Sequence, residues 1–258
     1  MTKLREAFQN GKAFIPYIAC GDPDLATTEE VVKACVDAGA DLIELGIPFS
    51  DPTAEGPVIQ AASARALKGG ATTDKIFAMV RNLRQTTDVP MVFMTYANVV
   101  YSYGSEKFIQ ICAEVGINGL ILPDVPFEEK EEFALLCRQN GLDFISLIAP
   151  SSQQRISLIS EAAEGFVYVV SSLGVTGVRK EITTDISAMI QLVKKANPTI
   201  SAAVGFGIST PQQAKEMAQE ADGVIVGSAI VKIIAEHGKE AAPYVRNYVK
   251  QMKEAIDL

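Results

Sequence analysis

DLIELGIPFSDPTAEGP, residues 41–57, is the stretch on which the reading of this chain turns. Its opening residues, Asp41–Leu45, form a short apolar run of strand type. Gly46, Pro48, Pro52, Gly56 and Pro57 then punctuate a loop. One carboxylate, Glu44, falls near the end of the run, and a second, Glu55, falls eleven residues later on the loop. A carboxylate at the end of an apolar strand costs free energy unless it is paired, hydrogen-bonded or used. No lysine or arginine stands between Glu44 and Glu55, so a structural ion pair has no local partner. Flanked by Ile43 and Leu45, Glu44 is expected to face a pocket whose apolar setting raises its pKa toward the range useful for proton transfer. On spacing alone, Glu55 reads either as a second reactive acid or as a solvated loop residue. The pair Asp51–Pro52 reads as turn chemistry.

Outward from this stretch, strand-like runs alternate with amphipathic ones to both ends of the chain. The runs are 13–19, 41–45, 91–96, 119–122, 143–148, 165–170, 199–204 and 223–226. They are continuous apolar segments, as parallel strands covered on both faces should be. Helical patterns lie between them. Residues 28–38 end at Gly39, 107–115 end at Gly116, and 128–139 end near Gly141, each glycine being a candidate C-terminal cap. The longest connection, between the second and third runs, has room for an extra helix over 57–67 before the main one over 74–84. The final helical stretch runs from Ala229 and breaks near Gly238 and Pro243. Eight strands, each followed by helical sequence, predict an α/β protein, a (β/α)8 TIM barrel with extra helices. With 258 residues and no low-complexity or Ser/Gly-rich linker, the expectation is a single catalytic domain over residues 1–258.

Composition narrows the partners. A net charge of −8 argues against nucleic acid and against an anionic membrane surface. It leaves room for a phosphorylated metabolite, because backbone N–H groups hold phosphate without cationic side chains. No segment is apolar enough for a membrane span, and the amphipathic start, MTKLREAFQNGK, lacks the core of a signal peptide, so a cytoplasmic protein is expected. Cys20, Cys35, Cys112 and Cys137 are scattered without a CxxC, and His237 is the one histidine. A Cys/His metal site is therefore not expected, and the cysteines read as reduced, buried small hydrophobes. No lysine lies in or at the end of a strand run, which disfavours Schiff-base aldolase chemistry, and no His/Asp/Glu cluster has metal-ligand spacing. His237 reads as a surface residue.

In such barrels the active site is built from loops at the C-terminal ends of the strands. After the seventh run stand Gly205, Phe206 and Gly207; after the eighth, Gly227 and Ser228 open a helix. These glycines either make tight turns only or let backbone N–H groups close on a phosphate at a helix N-terminus, where barrels often bind one. The loop from Ser171 to Arg179 carries two glycines and small polar residues, so it reads as a closing lid or as an ordinary surface loop. Tyr17, Met94, Tyr168 and Phe206 are either core packing or an apolar slot for a flat ring.

These motifs, taken in order, resemble the tryptophan synthase α subunit family. The resemblance rests on ELGIPFSDP…GP, FIPYIACGDP, MTYANVVYSYG, LILPDVPFEE, YVVSSLGVTG, GFGIS and GVIVGSAIVKII, and covers nearly the whole chain. It implies retro-aldol cleavage of a phosphorylated indole substrate, indole-3-glycerol phosphate, to indole and glyceraldehyde 3-phosphate, with no cofactor in this chain. By resemblance, Glu44 is the shuttling acid–base residue and Glu55 falls where the family carries an Asp that holds the ring N–H. Thr176 matches the lid threonine that bonds this second carboxylate, and Tyr168 the tyrosine beside the substrate. Gly177, Gly205, Phe206, Gly207, Gly227 and Ser228 match the phosphate cradle. Tyr17, Met94 and Tyr96 match the indole slot. The resemblance also implies a β-subunit partner that carries pyridoxal phosphate, in an α2β2 complex, with Pro48, Asp51 and 98–103 near the contact. The family usually reads DPLADGP where this chain reads DPTAEGP, so Thr53 and Glu55 replace Leu and Asp. The second acid is kept but is one methylene longer, and a shift of about 1 Å can cost roughly a hundredfold in rate. A stand-alone lyase releasing free indole and a catalytically weakened regulatory partner are the alternative functions.

Overall fold

The computed structural model describes residues 2–171, 185–205 and 207–257 and, of residues 153 and 154, the backbone alone. The expected strands are present, with ends within two residues of those read from the sequence. They are β1 (Ala13–Ala19), β2 (Ile43–Gly46), β3 (Met91–Met94), β4 (Gly119–Ile121), β5 (Asp143–Phe144), β6 (Ser146–Ile148), β7 (Phe166–Val170), β8 (Ser201–Gly205) and β9 (Gly223–Val226). All pairings are parallel, in the order β5-β4-β3-β2-β1-β9-β8-β7-β6. β5 and β6 are one run interrupted at Ile145: the chain pairs first with β4, then passes to β7. The ends of the order therefore meet, and the sheet closes into a barrel.

Alternation along each strand builds two cores. In β1, Phe14 and Ile18 face the outer layer of helices, while Ala13, Ile15, Tyr17 and Ala19 face the interior. In β2, Ile43 and Leu45 face out. Glu44 lies between them in register with Tyr17 and Val92, both interior, so it must point inward.

The helices are α1 (Lys3–Glu6), α2 (Leu25–Asp37), α3 (Pro57–Lys68), α4 (Thr73–Leu83), α5 (Ala97–Tyr103), α6 (Ser105–Glu114) and α7 (Glu131–Gln139). They continue with α8 (Ile156–Glu161), α9 (Ile186–Ala196), α10 (Pro211–Glu220), α11 (Ser228–His237) and α12 (Ala242–Ile256). The expected helix over 128–139 is split, with a 3-10 turn, Phe127–Glu129, preceding α7. Local chemistry sets the ends. The Asp24 carboxylate accepts the Thr27 N–H at 2.8 Å to start α2, and Gly39, with φ +95°, takes the chain out of it.

Two helices close the barrel's ends. α1 stops the bottom: Leu4 is fully buried in the inner core, and a Cβ on Gly119 of β4 would stand 2.8 Å from its Cδ1. α3 crosses the mouth, with Ile59 and Ala62 in the inner core. A bidentate pair from Arg65 to Asp22, at 2.8 and 2.7 Å, ties α3 to the loop after β1. The four cysteines are buried free thiols. Among the described residues no helix is long and apolar enough to cross a membrane.

Candidate active site

The mouth of the barrel holds a cleft of about 450 Å³ lined by Tyr17, Glu44, Ile59, Met94, Tyr168, Gly207, Ile208, Ile225, Gly227 and Ser228. Seven of these were expected from the sequence, and they come from strands far apart in the chain. Ile59, Ile208 and Ile225 were not. The extra helix was legible, but which of its residues turns into the mouth depends on the Arg65–Asp22 tie, which no local pattern shows.

Glu44 is 1 % exposed, and neither carboxylate oxygen has a hydrogen-bond partner. Burial, and then the charge of Glu55, push its pKa up to about 8. It therefore holds a proton at neutral pH, and its carboxylate, once formed, is a better base than an ordinary one. Glu55 is 5 % exposed, has one buried oxygen without a partner, and is pushed up to about 7 by burial. It is thus a buried acid within the electrostatic reach of Glu44, not a solvated loop residue. Its backbone is fixed locally: its carbonyl accepts the Gln60 side-chain N–H at 2.7 Å. Tyr96 is buried but does not line the cleft. Its hydroxyl accepts the Ala54 N–H at 3.1 Å and so holds the Glu55 loop in place.

Two tyrosines frame the cleft, each lying on a glycine of the next strand. A Cβ on Gly46 would be 2.1 Å from the Tyr17 hydroxyl, and one on Gly205 would be 2.4 Å from that of Tyr168. These strand glycines are there for close approach. A glycine inside a short strand, as in ELG, is the sequence signal that could have singled out Gly46. Both phenols are held well above their usual pKa, Tyr17 by burial and then by Glu55 and Glu44, Tyr168 by burial and then by Glu44. They remain neutral.

Gly207, Gly227 and Ser228 line the cleft together with Glu44. Ser228 starts α11, whose first-turn N–H groups have no acceptor within the helix. That partial positive charge suits an anion. Gly205 is the seat of Tyr168 and does not line the cleft. Thr176, Gly177 and Phe206 lie outside the described residues. Among the described residues no group of His, Cys, Asp or Glu is arranged to hold a metal ion.

A closed parallel barrel with a buried carboxyl at its C-terminal mouth defines a (β/α)8-barrel enzyme. The family model for the tryptophan synthase alpha chain matches residues 3–257, and the chain belongs to that family. It is 45 % identical over 257 residues to the tryptophan synthase alpha chain of Lacticaseibacillus casei, covering 100 % of this chain and 96 % of that one. It is 47 % identical over 258 residues to that of Lactiplantibacillus plantarum, covering 100 % and 97 %. Among solved structures, Mycobacterium tuberculosis tryptophan synthase superposes with a TM-score of 0.90 at 35 % identity, covering 100 % of this chain and 99 % of that one. The Legionella pneumophila alpha subunit gives 0.87 at 34 % identity, with 100 % and 99 % covered. Membership places the chain among the lyases of tryptophan synthesis.

Proposed function

We propose that the chain cleaves indole-3-glycerol phosphate to indole and glyceraldehyde 3-phosphate. The observation that carries this reading is the Glu44 carboxyl, buried, unpartnered and lining the same cleft as the start of α11. The phosphate would rest on the N–H groups at Gly207, Gly227 and Ser228, and the indole would lie among Tyr17, Ile59 and Met94. Glu44 gives its proton to C3 of the ring, which turns the ring into an electron-accepting indolenine. The resulting carboxylate takes the proton from the glycerol hydroxyl beside the scissile bond. The C–C bond then breaks, its electrons return to the ring, and the hydroxyl carbon becomes the aldehyde. Positive charge appears on the ring nitrogen along the way, and Glu55, with its unpartnered oxygen, would hold that N–H. The longer side chain serves here because Gln60 and Tyr96 fix the loop that carries it.

The partner in this reading is a β subunit that carries pyridoxal phosphate, joins indole to serine and assembles as α2β2, while this chain needs no cofactor and works in the cytoplasm. Asp51, Asn98, Tyr101 and Ser102 are exposed and available to such a partner, whereas Pro48 is buried within this chain. Indole release from indole-3-glycerol phosphate, measured with and without β subunit, tests the reaction and separates an α subunit from a stand-alone lyase. No release under either condition sinks the proposal.

A further inference from the structure

The barrel wall parts at one seam. β4 and β5 pair through Gly119–Asp143 and Leu120–Phe144, and Ile145 still donates to the Leu120 carbonyl at 2.9 Å. Beyond that point β6 pairs with β7, and among the described residues no ladder joins it to β4. In the gap lies a pocket of about 590 Å³ that shares no lining residue with the cleft at Glu44. Its lining combines polar groups with apolar side chains, among them Leu122, Val125, Phe127, Phe144, Leu147 and Ile159.

Two polar groups in this wall are poorly matched. Lys130 is only 7 % exposed. Its Nζ donates to the Ala162 carbonyl at 2.9 Å and sits 4.8 Å from the Phe127 ring centre, and among the described residues no carboxylate pairs with it. Burial holds its ammonium below the usual lysine range. Ser146 is 6 % exposed, and its hydroxyl is buried without a partner. A buried ammonium held by one carbonyl and a ring face, with Glu131 and Glu164 acting on it only at a distance, is costly unless something completes it, and so is an unsatisfied hydroxyl in the same wall. Two further polar groups line the pocket and are partly engaged. Arg155 pairs with Glu128, and the Ser152 hydroxyl accepts the Ala149 N–H at 3.3 Å.

We propose that this seam pocket binds a small monocarboxylate with an apolar body, its carboxylate on Lys130 and Ser146 and its hydrocarbon against the surrounding apolar wall. One ammonium and one hydroxyl match a single negative charge with two oxygens. The site stands apart from the proposed cleavage reaction and does not depend on it.

The test uses 3-phenylpropionate as the probe and 3-phenylpropan-1-ol as its neutral counterpart, titrated by calorimetry into the full chain. Saturable binding of the acid at one site is expected, at least tenfold tighter than the alcohol. Lys130→Met should weaken it at least tenfold and Ser146→Ala several-fold, with the melting temperature confirming that each variant folds. Amide chemical shifts of the unaltered protein give a reading that does not depend on any variant: Phe144 and Ile159 should move most, and Tyr168, which is paired to Leu147 across the ladder, should move less. Absence of saturable binding, equal affinity for acid and alcohol, indifference to Lys130→Met, or shifts centred on Tyr168 would each overturn the proposal.

Discussion

Replacing Gly46 by alanine tests the geometry of the site most directly. The new Cβ would stand 2.1 Å from the Tyr17 hydroxyl oxygen, 2.5 Å from Cζ and 2.7 Å from Cε2. To restore an ordinary contact of 3.4 Å the ring must retreat by about 1.3 Å, the difference from 2.1 Å. The open direction is the cleft that Tyr17 lines, beside Glu44. Overpacking of this kind costs about 1–3 kcal/mol, and melting temperature falls roughly 2–4 °C per kcal/mol in a chain of this size. A displacement of about 1 Å at the substrate slot lowers kcat/KM by roughly a hundredfold. Thermal melting and steady-state indole release measure the two effects separately. A Gly46→Ala, Tyr17→Leu double variant should recover part of the melting temperature, because the two changes meet at one contact. A Gly46→Ala protein with unchanged melting temperature and unchanged kcat/KM would refute the reasoning.

Other perturbations have equally definite outcomes. Glu44→Gln should lower turnover by orders of magnitude while substrate still binds by calorimetry; retained turnover removes Glu44 from the mechanism. The same variant should melt higher than the wild type at pH 8–9. A carboxyl whose folded pKa is raised to about 8 loses stability as pH rises from the unfolded value, roughly 4.3, through the folded one, and glutamine has no charge to bury. In the wild type kcat/KM should decline above about pH 8, as Glu44 loses the proton it must give to the ring, and a profile flat to pH 9.5 contradicts that role. Arg65→Ala should cost about 1–3 kcal/mol, because it leaves the buried Asp22 carboxylate unpaired. It should also raise KM by loosening α3 and Ile59; a rise in neither unfolding rate nor KM counts against the tie.

Much of this was legible in the sequence because barrel strands announce themselves as apolar runs closed by glycine-marked helix ends. The inward aim of Glu44 followed from its place between Ile43 and Leu45, since neighbours on a strand face opposite sides. The fate of Glu55 was not decidable from spacing. Its burial depends on Gln60 and Tyr96, one on the next helix and the other at the end of another strand. The interruption at Ile145 was invisible for a related reason. Residues 143–148 read as one strand-like run, and only the change of pairing partner from β4 to β7 breaks it. Lys130 lies within the helical pattern over 128–139, where nothing local marks it as buried. Most of the unexpected features arise where segments distant in sequence meet.

The plug formed by α1 has a consequence for how the chain is assembled. Leu4 and Phe8 rest against Gly119 and Gly223, so their socket is built from strands synthesised long after them. The plug must wait, unhoused, until β9 arrives, and long-range contacts of this kind slow folding. A nascent chain halted after β8 would leave Phe8 without its seat on Gly223 and its greasy surface free for chaperones to find.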